Sequence, residues 1–201
     1  MNSNVRNILK IYDKATRDDI DEGLTWYSRA NAEARCIASN GTTWHKACAA
    51  IAAISPGLRW EKNIEAARRV ICKEPLDGLG IRWYDGVRKA ERIVNGENPL
   101  DVLRGNKVRA FYRCIVNPRD DKSVCIDGHA YSIWAGRRLL TSGTKRDGNV
   151  VPNITDKMYE SIAKDYREAA ELAGILPNQM QAITWVVWRR MIKLNGQLPL
   201  F

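Results

Sequence analysis

The chain has 201 residues, 45% hydrophobic and 27% charged, and its 32 lysines and arginines against 23 aspartates and glutamates give a formal charge of +9. These fractions exclude wholesale disorder, and no apolar run approaches the roughly 18 residues that a helical membrane span needs, so neither a membrane partner nor a membrane anchor is expected. A chain of this length can bury a sizeable core as one compact domain or as two small lobes.

The opening residues MNSNVRNILKIYDKATRDD show no basic start followed by an apolar core and a cleavage site, so no secretory signal is read and a cytoplasmic protein is expected. Thr16 precedes Asp18, Asp19, Asp21 and Glu22, acids that favour the positive end of a helix running through Trp26 to a stop at Asn40-Gly41. A second helix runs from Trp44 through AAIAAI to Ser55-Pro56-Gly57, where proline and glycine dictate a sharp turn. Trp60, Ile64, Ala67 and Ile71 then recur at helical spacing.

Trp83 to Val94 continues helically to Asn95-Gly96, Pro99 opens the brief segment LDVL, and Lys107 to Ile115 is helical again after Gly105. Beyond Asn117-Pro118 comes the short apolar step Val124-Cys125-Ile126. Asp127 then stands as the N-cap of a helix through Trp134 to Leu140. Residues 141–153 read as one long loop, followed by helices from Thr155 to Ala173 and from Asn178 to Leu194. No alternating apolar run demands a sheet, and the expected class is all-α.

The five cysteines at 36, 48, 72, 114 and 125 leave one over if paired, and none has the two-residue spacing of zinc or iron–sulfur ligands. They read as reduced thiols. With only His45 and His129 in addition, no metal site and no cofactor are expected. Residues 1–58 carry 7 basic and 6 acidic side chains, residues 59–146 carry 19 and 11, and residues 147–201 carry 6 and 6. The excess therefore lies in the middle, as expected of a chain that neutralises phosphates, although a solvated basic surface has the same composition.

Within that basic segment stand Leu103-Arg104-Gly105-Asn106-Lys107-Val108 and then Val124-Cys125-Ile126-Asp127-Gly128-His129-Ala130. A helix, a glycine turn, a helix beginning with lysine and, 20 residues later, an aspartate at a helix start resemble the helix-hairpin-helix DNA glycosylase superfamily. Its hairpin has the type L-P-G-V-G-x-K-V and is followed by V-D-x-H. The hairpin here is shorter and has one glycine, and the iron–sulfur cysteine signature of one branch is absent.

The resemblance implies a two-lobed glycosylase-like fold with a helix-hairpin-helix element. Its approximate lobes would be residues 43–116, with the hairpin, and residues 1–42 plus 117–201. It implies a monomer that holds the phosphate backbone of DNA and a flipped base, with a cleft between the hairpin and the turn from Ser55 to Trp60. Lys107 takes the place of the nucleophilic lysine and Asp127 that of the catalytic carboxylate. Arg59, Trp60, Arg104, Gly105, Asn106, Arg109, Tyr112 and His129 would face DNA, and Trp60, Trp83, Tyr112 and Trp134 are the aromatic candidates for stacking on an opened base.

The segments Ile54-Ser55-Pro56-Gly57-Leu58-Arg59-Trp60, Gly105 to Tyr112 and Gln181 to Arg189 also resemble small bacteriophage proteins related to that fold, thought to attach an amino acid or polyamine to an activated thymine. The leading expectation is a base-excising glycosylase with strand-nicking lyase activity. A base-hypermodifying transferase and a non-catalytic DNA-binding accessory protein are the alternatives. Simpler readings stand beside each assignment. Asp127 is also a helix cap, Lys107 a solvated first-turn lysine, and Arg59 an ion-pair partner for Glu61. His45 and His129 read as structural, and Trp185 and Trp188 as core.

Overall fold

The computed structural model describes residues 1–81, 84–139 and 150–194. Among them lie ten helices and no β-strand, and the fold is all-α. No helix among the described residues is long and apolar enough to cross a membrane. The chain divides into two compact units, one joining residues 1–27 to 119–201 and the other comprising residues 28–118.

The first crossing between units falls at Tyr27 and Ser28, inside α2 (Arg17–Ala38), rather than near the Asn40-Gly41 turn. That turn does end the helix, but a helix end is not a boundary between cores. Ala30, Ala34, Ile37 and Ala38 are already buried on the far side of the crossing.

The unit of residues 28–118 is built around α3 (Trp44–Ile54), whose residues from Ala47 to Ile54 are all buried. Packed against it are α4 (Trp60–Cys72), α5 (Tyr84–Val94) and α7 (Asn106–Val116), while the short α6 (Pro99–Val102) leads into α7. Alanines on α3 let neighbouring backbones come close. At Gly86 of α5 the approach is closest, for a Cβ there would lie 2.4 Å from the Ala53 carbonyl oxygen.

The unit of residues 1–27 and 119–201 combines α1 (Ser3–Tyr12), the first part of α2, α8 (Gly128–Trp134), α9 (Asp156–Ala173) and α10 (Pro177–Leu194). Val5, Ile8, Ile11, Ile133, Ile162, Tyr166, Ile183, Val187 and Trp188 form its core. Trp188 is 1% exposed and Trp185 half-buried, edge-on to Trp26 with ring centroids 6.3 Å apart. The closest approach is at Gly23 of α2, where a Cβ would lie 2.4 Å from Ile183 Cγ1.

Periodicity also accounts for α1, which was not anticipated. Asn2 accepts hydrogen bonds from the amides of Asn4 and Val5, and Val5, Ile8 and Ile11 form its buried stripe. Asn7 of α1 donates to the Trp134 carbonyl oxygen at 3.0 Å. There α8 stops, six residues short of the expected end at Leu140, because Gly136 adopts φ +67 and turns the chain away. Leu140 itself, Trp83 and residues 141–149 of the expected loop lie outside the described residues.

Candidate nucleic-acid interface

The helix pair α6–α7 is fixed by its own backbone needs. Asn98 caps α6 by accepting from Leu100 N–H, and Pro99 fills the first helical position, where no donor is needed. Leu103 is fully buried, Arg104 and Gly105 are exposed, and Gly105 has φ +79, a conformation that L side chains rarely adopt. The turn consequently lifts Arg104 outward and starts α7 at Asn106.

Arg109 and Asn31 hold the two ends of this hairpin. Arg109 Nε donates to the Leu103 carbonyl at 2.9 Å and its Nη2 to that of Leu100 at 3.0 Å, satisfying acceptors that a short helix leaves unpaired. Asn31 Nδ2 donates to the Ile115 carbonyl at 2.8 Å, closing the C-terminal end of α7. Arg109, expected to face DNA, has Nε and Nη2 of its guanidinium engaged in shaping the turn.

Beside the hairpin lies a hollow of about 180 Å³ lined by Ala53, Ile54, Pro56, Asp85, Gly86, Lys89, Arg104 and Val108. Its walls come from the end of α3 and the following turn, from α5, and from the hairpin, so the Ser55 to Trp60 turn and the hairpin flank one depression. The turn forms because Ser55 Oγ donates to the Ala52 carbonyl at 2.9 Å while Gly57, with φ +78, reverses the chain. Its lining joins the apolar Ala53, Ile54, Pro56 and Val108 with the charged Asp85, Lys89 and Arg104.

Cations around the hollow differ in what they already bind. Lys89 pairs with Asp85 at 2.5 Å, and on α4 Arg68 and Arg69 pair with Glu65 at 2.9 and 2.7 Å. These two arginines hold the Glu65 carboxyl down at about 2. Arg59 and Arg104 are exposed and enter no ion pair among the described residues. The alternative of an Arg59–Glu61 pair is therefore not realised. Lys107 sits in the first turn of α7, half-buried, as do Asn106 before it and Tyr112 further along. Burial raises the Tyr112 hydroxyl above its ordinary value, with the nearby Cys48 thiol adding to the rise. Trp60 is half-buried at the first position of α4.

Asp127 belongs to the other unit. It is half-buried and caps α8, its Oδ1 accepting from Ala130 N–H at 2.8 Å. Oδ2 has no hydrogen-bond partner among the described residues. His129 follows two residues later, half-buried. The Tyr166 hydroxyl lies beneath this turn; burial pushes it far above the ordinary tyrosine range, Thr184 acts in the opposite direction, and the Asp127 charge raises it further.

Trp134, one of the aromatic candidates, has a structural engagement. Its Nε1 donates to Asp165 Oδ2 at 2.7 Å, while Asn2 Nδ2 donates to Oδ1 of the same buried carboxylate at 2.9 Å. A buried acid left without these donors would be costly, and the indole N–H of Trp134 is oriented to supply one. The sequence did not single out Lys89, Asp85, Tyr159 or Tyr166. The alternation of α5 and α9 marks only which face is buried, not which hydroxyl or charge that face delivers.

Among the described residues no group of three or more histidines, cysteines or acids is arranged to hold a metal ion. None of the five cysteines forms a disulfide. Compared with known proteins, the chain belongs to a family of unknown function, DUF7178, whose model matches residues 1–192. No curated protein and no solved structure matches it.

Proposed function

We propose that the protein binds DNA through the α6–α7 hairpin and processes a base there in the manner of the helix-hairpin-helix glycosylases it resembles. The hollow carries this reading. It sets the unpaired Arg104 guanidinium and the start of α7 beside an apolar wall made by Ile54, Pro56 and Val108. Phosphate oxygens are attracted by a free guanidinium and by helix-start N–H groups, and an unstacked base needs apolar surface. The excess of basic over acidic residues in this unit adds the sequence-independent attraction that DNA binding requires.

Chemistry follows from Lys107 and Asp127. As the bond from base to sugar breaks, its electron pair leaves with the base and positive charge grows at C1′, which a carboxylate stabilises. Lys107 Nζ, once its ammonium has lost a proton to water, adds to C1′. On Asp127, Oδ2 is available to face that charge because Oδ1 alone serves the cap.

The test uses a DNA duplex with one natural abasic site, whose ring-opened sugar presents an aldehyde. Lys107 attack followed by loss of water gives an imine, and borohydride delivers hydride to the imine carbon to leave a stable secondary amine. A covalent adduct is expected from the native protein and none from Lys107→Ala, with Asp127→Asn forming it slowly. Binding of this duplex without any adduct from the native protein would leave the non-catalytic DNA-binding reading in its place.

A further inference from the structure

α9 places Tyr159 and Tyr166 seven residues apart, hence two turns along the same face as Ile162, Ala163 and Ala169. Both hydroxyls reach the segment that carries Asp127. Tyr159 Oη donates to the Val124 carbonyl at 2.7 Å and accepts from Ile126 N–H at 3.0 Å. Tyr166 Oη donates to the Ala130 carbonyl at 3.1 Å, and Ala130 N–H is the donor to Asp127 Oδ1.

Val124 to Ile126 is buried and belongs to no helix or strand. Its polar backbone atoms therefore have no ladder to satisfy them, and a single phenol supplies a donor and an acceptor two residues apart. On the other side, α8 has only seven residues and would fray readily on its own. Asp127 stands between the two tethers, one residue after Ile126 and three before Ala130.

We infer that Tyr159 and Tyr166 are positioning residues for the Asp127 carboxylate, fixing the approach and the first turn of α8 so that Oδ2 keeps one direction. The inference rests on the reading of Asp127 as the reacting carboxylate. A reacting group tolerates misplacement of only about half an ångström before its contribution falls away, and a cap held from one side alone leaves more freedom than that.

Tyr159→Phe and Tyr166→Phe keep each ring and remove only the hydroxyl. The rate of borohydride-trapped adduct on saturating abasic duplex is measured beside the Kd for that duplex, the thermal midpoint, and amide exchange at Ile126 and Ala130. Each variant is expected to trap about tenfold more slowly with Kd within about twofold, and exchange is expected to quicken at Ile126 in Tyr159→Phe and at Ala130 in Tyr166→Phe. Combined with Asp127→Asn, neither variant should slow trapping further, because both act through that carboxylate. Native trapping rates in both tyrosine variants, or losses that add to that of Asp127→Asn, would overturn the positioning role while leaving the functional reading in place. Absence of any adduct from the native protein is a different outcome, which removes the reading and this inference together.

Discussion

The two units carry the same number of cations but use their acids differently. Residues 28–118 hold 16 lysines and arginines against 9 aspartates and glutamates, a net of +7; the remaining chain holds 16 against 14, a net of +2. In residues 28–118, Glu65, Glu74, Asp85 and Glu97 pair with cations on the solvated faces of α4 and α5, and Arg59 and Arg104 are among the cations that enter no ion pair among the described residues. In the other unit two acids are internal. Asp19 is 5% exposed and engages Arg190 at 2.7 Å, and Asp165 is 6% exposed and ties Asn2 to Trp134. A positive surface thus arises where acids are few and local; a rigid support arises where acids are buried and bridge distant segments.

The sharpest way to separate the units is to disturb the closest helix crossing of each. Gly86→Ala and Gly23→Ala each drive a methyl group to 2.4 Å from a neighbouring atom, with backbone of the partner helix among the atoms met. Each is expected to cost about 3 kcal/mol, the upper part of the usual range for overpacking, read from urea midpoints. Thiol labelling through the same titration tells which unit opens. Cys48 and Cys114 are buried in the unit of Gly86, Cys125 in that of Gly23, and burial pushes the Cys48 thiol up to about 12, so it stays inert until exposed.

Arg190→Met tests whether buried acids support the second unit. Burial alone would raise the Asp19 carboxyl, but the hydrogen bonds from Arg190 and from the Thr16 amide and hydroxyl outweigh it and hold it below its ordinary value of 3.8. Its contribution to stability is accordingly present above about pH 4 and is lost as pH falls through the depressed folded-state value. Removing the arginine is expected to cost about 2–3 kcal/mol at neutral pH, less than for a pair buried on both sides because Arg190 is about a third exposed. The gap between native protein and variant should narrow as pH is lowered towards 3. Thermal midpoints across that range check both size and sign. A smaller loss, about 1–2 kcal/mol, is expected for Trp134→Phe, which leaves one oxygen of Asp165 without its indole donor; an unchanged urea midpoint would refute the structural role assigned to Trp134.

How much of this was legible in the sequence follows from how far apart the partners are. The helices read well because caps and stops are local: Thr155, Asn98 and Asp127 each bind an amide two or three residues on. The Gly105 turn before α7 and the Ser55-Pro56-Gly57 turn were legible for the same reason. What packs beside them was not. Asn7 reaches Trp134 across 127 positions and Asn2 reaches Asp165 across 163, and no spacing rule announces such pairings. Arg109 shows a subtler limit: in a basic hairpin it counts as a cation for DNA, but backbone carbonyls six and nine residues earlier claim it first. The Tyr159 hydroxyl was not legible because a tyrosine on a buried helix face reads as packing until the backbone of Val124 and Ile126, which no helix or strand pairs, is seen beside it.

The dependence of DNA affinity on salt measures the central claim directly. Each cation that neutralises a phosphate contributes about one unit to the slope of log Kobs against log salt concentration. With an unmodified duplex, Arg104→Ala is expected to reduce that slope by about 1, while Lys164→Ala on the exposed face of α9 leaves it unchanged. Salt-insensitive binding, or a slope that falls for Lys164→Ala and not for Arg104→Ala, would contradict the assignment of the DNA-binding face to α6 and α7.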